Sequence, residues 1–151
     1  MSGSVFLKRL MLATDGSEHS LDAAQKVCQI AKTNKSDVVI VHVLHPYHHL
    51  VIPPRPIDIG GQIDVEDEKM IKERGKEIMN KTKKVFDDAA VRTRTRFLIG
   101  NVARAIIDEA AKEDVSLIVV GAAGHLGGGW LLGSVADKIA RNATCPVLIV
   151  R

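Results

Sequence analysis

The sequence predicts an α/β fold, a parallel sheet with helices on both of its faces. Three observations carry that expectation. Apolar runs recur at residues 5–13, 38–44, 115–120 and 146–151, as buried strands require. Stretches with apolar residues at helical spacing separate them. A glycine-rich segment, residues 121–134, joins one apolar run to an amphipathic one. Strand, glycine loop and helix together present backbone N–H groups and a helix N-terminus to an anion.

The elements follow in order. Residues 5–13 read as a buried central strand ending in Thr14-Asp15-Gly16-Ser17. Ser17 or Asp15 caps the next helix, and Glu18 favours its positive end. That helix turns Leu21, Ala24, Cys28 and Ala31 inward, with Val27 beside them, until residues 34–37 break it. Residues 38–44 form a second buried strand. Residues 45–63 hold Pro46, Pro53, Pro54, Pro56, Gly60 and Gly61 without periodicity, and read as a lid, a binding loop or a mobile segment. A long helix over 63–89 lines up Ile71, Gly75, Ile78, Thr82 and Val85, with Met79 and Phe86 next to them.

Residues 91–99 alternate. Val91, Thr93, Thr95 and Phe97 point one way; Arg92, Arg94 and Arg96 point the other. The pattern places this strand at a sheet edge, with the arginines as a solvated row that blocks edge pairing. Gly100-Asn101 opens a short helix with Val102, Ile106 and Ala110 inward. The strand at 115–120, the glycine segment, a helix to about residue 142 and a last strand at 146–151 complete the chain. Strands alternating with helices imply right-handed parallel crossovers. Ligands of such sheets sit beyond the carboxyl ends of the strands, at the topological switch point. Those ends are Ala13-Thr14-Asp15, Val43-Leu44, Ile99-Gly100 and Val120-Gly121.

Composition narrows the function. The 151 residues suit one domain, 46% hydrophobic and 26% charged. Aromatics are only 3%, which argues against stacking on nucleic-acid bases, and a net charge of +3 is too small to demand a nucleic-acid partner. No apolar run approaches the ~20 residues of a membrane span. No signal peptide is expected before the first strand, and Cys28 and Cys145 lie far apart, read as reduced thiols of a cytosolic protein.

With these residues in place, the chain resembles the universal stress protein family over nearly its whole length. The resemblance begins at Ala13-Thr14-Asp15-Gly16-Ser17-Glu18 and includes Val41-His42-Val43. It is most specific at Gly121-Ala122-Ala123-Gly124, at Gly133-Ser134-Val135-Ala136-Asp137-Lys138, and at Cys145-Pro146-Val147-Leu148-Ile149-Val150. The family's nucleotide-binding members carry Gly-x2-Gly-x9-Gly-(Ser/Thr). Here eight residues, His125 to Leu132, stand where the pattern has nine, beside Gly127, Gly128 and Gly129.

The resemblance implies one universal stress protein domain over 1–151. It implies an open parallel five-stranded sheet of strand order 3-2-1-4-5, Rossmann-like and of the adenine nucleotide α-hydrolase type. It implies a cytoplasmic stress-response module that binds ATP, with Mg²⁺ as the accompanying ion. Ala13, Thr14 and Asp15 would line the ribose and adenine side, Val43 would pack on adenine, and Val120 and Gly121 would border base and ribose. Gly124, Gly133, Ser134 and Val135 would hold phosphates. Asp15 suits ribose hydroxyls or a water on Mg²⁺. The family's dimers join through the last strand, so a homodimer through 146–151 is expected, since an apolar edge invites pairing.

Other residues have plainer readings. The segment is neither a Walker A motif nor GxGxxG; without a P-loop lysine, binding with at most slow hydrolysis is expected. A slow ATPase, and a member acting through protein contacts without nucleotide, are the alternatives. His42 reads as a core histidine. His45, His48 and His49 read as a solvated loop rather than a metal site, His125 as solvent-facing, and Trp130 as packing beneath the glycine segment.

Overall fold

The computed structural model describes residues 7–44, 65–122 and 132–151, and over 65–68 the backbone alone. The order is β1 (Arg9–Ala13), α1 (Glu18–Asn34), β2 (Asp37–Leu44), α2 (Val65–Asp87), β3 (Thr93–Ile99), α3 (Val102–Lys112), β4 (Leu117–Gly121), α4 (Ser134–Asn142) and β5 (Val147–Val150). β1 pairs in parallel with β2 and β4, β2 with β3, and β4 with β5. The sheet order is β3-β2-β1-β4-β5, as expected. The switch point therefore lies between β1 and β4, where successive connections leave in opposite directions.

Each strand's alternate residues serve a different core. Leu10, Leu12, Val38, Ile40 and Val119 pack with Ala24, Val27, Met79 and Phe86 of α1 and α2. Met11, Val39, Val41, Ile118 and Val120 pack with Ala103, Ile106, Ala136 and Ile139 of α3 and α4. Two covered faces explain why these strands read as unbroken apolar runs. The apolar stripe of α1 is wider than its spacing indicated: Ser20 and Ala23 are buried while Leu21 is half-buried.

The fourth strand starts at Leu117 rather than Val115. The Val115 N–H donates instead to the Ala110 carbonyl (3.0 Å), closing the end of α3. α1 and α2 end in the same way, with Ser36 N–H on Ala31 O and Val91 N–H on Phe86 O, both at 3.0 Å. The intervening residues Lys35, Ala90 and Asp114 sit at φ of 54°, 55° and 52°. This left-handed C-terminal position favours glycine, and no glycine stands there.

The edge position of β3 is confirmed, and the arginine row is solvent-exposed, with side-chain exposures of 83%, 56% and 42% at Arg92, Arg94 and Arg96, while also pairing with acids the sequence did not reveal. Arg96 Nε donates to Glu109 Oε1 (2.8 Å) and its Nη2 to Glu113 Oε1 (3.1 Å), while Arg94 Nη2 reaches Glu113 Oε2 (3.0 Å). Arg9 Nη1 adds a bond to the Glu113 carbonyl (2.6 Å). α3 lies over this side of the strand and buries Glu109, so the cations neutralise carboxylates that would otherwise be stranded. Arg92 is the most exposed of the row and lies near Asp37. On the other side Thr95 is exposed, and Phe97 turns to α2, where Gly75 leaves room: a Cβ there would fall 2.4 Å from the ring. At the opposite edge β5 has β4 as its one partner among the described residues, and Leu148 stays 36% exposed. No helix among the described residues is long and apolar enough to cross a membrane.

The left-handed helix ends generate a prediction. Ala90→Gly removes a steric cost of about 1 kcal/mol, partly offset by the added freedom of the unfolded chain. Its urea midpoint should rise by the equivalent of about 0.5 kcal/mol; a fall would show that the Ala90 methyl contributes more in packing than its φ costs.

Candidate functional site

The carboxyl ends of β1 and β4 meet at the switch point, and the residues after β1 are fixed first. Thr14 is buried, and all of its polar groups are engaged. Its N–H donates to Val41 O (2.9 Å), and its carbonyl accepts from His42 Nδ1 (2.8 Å). Its hydroxyl lies 3.2 Å from both Ser20 Oγ and Thr82 Oγ1 and accepts from Gly16 N–H (3.3 Å). The Thr14 side chain is thus committed inward, where it supports the site from beneath. Sequence reasoning had Thr82 on the inner stripe of α2 but gave it no partner, and missed Ser20. Buried hydroxyls need partners, and two of them on inward faces were the available signal.

Above this knot the chain turns at Gly16, with φ +79° and Ile78 of α2 packed against it: a Cβ would lie 2.9 Å from Ile78 Cγ1. Asp15 Oδ1 accepts the Ser17 N–H (2.9 Å), and Ser17 Oγ accepts the Ser20 N–H (3.3 Å). The two proposed caps therefore divide the work, Asp15 holding the turn and Ser17 capping α1. Asp15 stays half-buried at the β1 end.

The β4 side is set by a close approach. A Cβ on Gly121 would stand 2.9 Å from the backbone carbon and the Cβ of His19, in the first turn of α1. The first turn of α1 therefore rests directly on the last residue of β4. From there Ala122 N–H donates to Val150 O (2.7 Å), and Gly133 N–H donates to Ala122 O (2.7 Å). The second bond brings the two ends of the glycine segment together, so α4 starts beside the end of β4. Gly133 is the N-cap of α4 and supplies no side-chain hydrogen bond to it. α1 and α3 are capped by Ser17 and Asn101. The first turn of α4 thus has no side-chain cap from Gly133, and Ser134 is exposed there.

The apolar candidates gather on the side of the sheet covered by α3 and α4. Val120 belongs to that core, and Ala13, Val43, Leu132 and Val135 pack partly buried against it. Val43 lies at the end of β2, opposite Leu98. Gly124, His125, the Gly127–Gly129 run, Trp130 and the 45–63 loop with its histidines lie outside the described residues. His42 is buried against Phe97, with ring centroids 5.5 Å apart, as a core histidine should be. Cys28 and Cys145 are free thiols, and burial pushes both pKa values up, so neither is an activated nucleophile. Among the described residues no group of three or more His, Cys, Asp or Glu is placed to hold a metal ion.

The model of the universal stress protein family matches residues 7–151. The chain belongs to that family. Universal stress protein MJ0531 of Methanocaldococcus jannaschii is 34% identical over 99% of this chain and 85% of its own length. Universal stress protein YxiE of Bacillus subtilis is 31% identical over 95% of this chain and 98% of its own. Among solved structures, hypothetical protein MJ0577 superposes with a TM-score of 0.80 at 22% identity, covering 96% of each chain. A universal stress protein in complex with cAMP gives 0.69 at 24% identity, covering 96% of this chain and 97% of its own. The universal stress protein from Archaeoglobus fulgidus in complex with dAMP gives 0.68 at 20% identity, covering 98% of this chain and all of its own.

The contact at Gly121 is open to test. A methyl group cannot be accommodated against His19 backbone without moving α1 from β4. Gly121→Ala should therefore cost about 1–3 kcal/mol, the usual range for an overpacked interior, measured by chemical denaturation. Stability equal to the parent's would mean that α1 does not rest on β4 at this point.

Proposed function

We propose that the chain binds an adenine nucleotide in the crevice between β1 and β4, as a cytoplasmic stress-response module. The observation that carries this reading is the start of α4, a helix N-terminus without a side-chain cap, bonded through Gly133 to the end of β4. Such an end offers convergent N–H groups and a positive dipole to a phosphate. The surrounding residues fit the rest of the ligand. Ala13, Val43, Val120 and Val135 supply an apolar wall for a base. Asp15 keeps a carboxylate at the β1 end for ribose hydroxyls or for a water on Mg²⁺. The complexes of two structural neighbours with cAMP and dAMP support the adenine part of the reading.

ATP is the proposed ligand, and Gly124, Gly133, Ser134 and Val135 are the proposed phosphate contacts. Without a P-loop lysine in the glycine segment, the site is built to hold a nucleotide rather than to transfer its phosphoryl group rapidly. One domain spanning the chain forms a homodimer by antiparallel pairing of β5, whose outer edge is apolar and carries the exposed Leu148.

Calorimetric titration with ATP, ADP and AMP tests the site. Binding is expected, and Gly124→Val should abolish it while leaving the thermal midpoint in place; no heat with any of the three at millimolar ligand would sink the reading. For the dimer, light scattering should give twice the chain mass, falling to the monomer in Leu148→Lys. A parent protein that is monomeric at high concentration would rule the β5 interface out.

A further inference from the structure

The ladder between β1 and β2 stops one pair early. The register that pairs Leu12 with Ile40 and Ala13 with Val41 would next pair Thr14 with His42. In a parallel ladder two bonds hold such a pair, Thr14 N–H to Val41 O and Val43 N–H to Thr14 O. The first is present, at 2.9 Å, and the second is not. The Thr14 carbonyl accepts instead from the side chain of His42, 2.8 Å from Nδ1. A carbonyl only accepts, so Nδ1 carries the proton. The direction of the Val43 N–H follows from the strand, because successive peptides point opposite ways. Val41 O faces β1, and Leu44 O faces β3, where it accepts from Gly100 N–H (2.9 Å). Val43 N–H therefore faces β1, with no ladder bond to take it. The imidazole that causes this is fixed in place. It is 8% exposed, its centroid lies 5.5 Å from that of Phe97, and α2 presents Gly75 to it, where a Cβ would stand 3.5 Å from His42 Cδ2.

We propose that His42 is a positioning residue: its side chain takes the Thr14 carbonyl, keeps the β1–β2 ladder from closing, and leaves Val43 N–H free at the carboxyl end of the sheet. The consequence for a ligand rests on the nucleotide reading above, in which the freed N–H is a donor for the polar edge of the base, beside the apolar wall to which Ala13 and Val43 belong. An apolar side chain at position 42 would fill the same space against Phe97 but leave the Thr14 carbonyl without its donor. A buried carbonyl in that state takes the nearest donor, and the register makes that donor Val43 N–H. The ladder would then run one pair further, and the N–H would be used up within the sheet. Histidine at this position therefore decides the state of a neighbouring amide as well as filling the interior.

Two measurements on the full chain test this. Amide hydrogen exchange without ligand, read residue by residue by NMR, reports the ladder. In the parent the Val43 amide should exchange about tenfold or more faster than that of Val41, which lies inside the ladder. In His42→Phe it should slow to about the Val41 rate. In His42→Asn, whose carboxamide nitrogen stands close to the position of Nδ1, it should return to the parent rate. A Val43 amide as slow as that of Val41 in the parent, or one unchanged in His42→Phe, would overturn the proposal. The parent comparison needs no variant, so the test holds even where His42→Phe does not fold. Calorimetry with AMP and ribose 5-phosphate then reads the part of the affinity that depends on the base. His42→Phe should weaken AMP about tenfold, the loss expected for one hydrogen bond, and leave ribose 5-phosphate within about twofold. His42→Asn should recover most of the loss. Equal weakening of both ligands, or unchanged affinity for AMP, would overturn the role at the base. A parent protein that binds neither ligand would overturn the nucleotide reading, while the exchange rates would still decide what His42 does to the ladder.

Discussion

Thr14 is the point on which the geometry of the crevice depends. It follows β1, the central strand, and a central strand is fixed along its length by two ladders but released where the ladders stop. Thr14 extends that restraint one residue further through Val41 O, His42 Nδ1 and the hydroxyls of Ser20 and Thr82. One residue thus ties β1 to β2, α1 and α2. The turn at Gly16 and the Asp15 carboxylate are carried on this fixed base, so their placement is decided before any ligand arrives. Such preorganisation lowers the ordering cost of binding. It also explains why a threonine serves here: a β-branched residue is stiff at χ1, and its hydroxyl can face a buried interior only where partners await it.

The two sides of the crevice are built by different means. On the β1 side the restraint is side-chain hydrogen bonding. On the β4 side it is close packing, with Gly121 allowing the first turn of α1 to rest on the strand. Without a Cβ at that position the first turn of α1 and the end of β4 come into close contact. Packing of this kind transmits displacement, because a filled interior has no slack to absorb it.

Much of this was legible in the sequence, for physical reasons that can be named. The parallel sheet could be read because both of its faces are covered, which leaves long apolar runs at residues 38–44 and 115–120. The edge position of β3 could be read because its alternation is real. The meaning of that alternation could not. The row is exposed as read, but its partners are distant in sequence: Glu109 and Glu113 lie 13 and 17 residues from Arg96. The same limit hid His19. Its four-residue spacing to Ala23 marks a covered face, but the contact with Gly121 joins positions with no local relation in sequence. Asp15 and Ser17 were legible as alternatives for one role. Only geometry could divide that role between a turn and a cap.

The capping of the helices gives the strongest argument for where a ligand belongs. α1 and α3 begin with Ser17 and Asn101, whose side chains satisfy first-turn amides. α4 begins with Gly133, which has no side chain to offer. Replacing a glycine at such a position by Ser, Thr, Asp or Asn changes helix stability by only a few tenths of a kcal/mol, so stability alone does not decide the choice. Access does. A capping side chain would occupy the amides that a phosphate needs. Among the helices whose starts are described, α1 and α3 are capped by side chains and α4 is not. A first turn without a side-chain cap leaves its amides available to an anion.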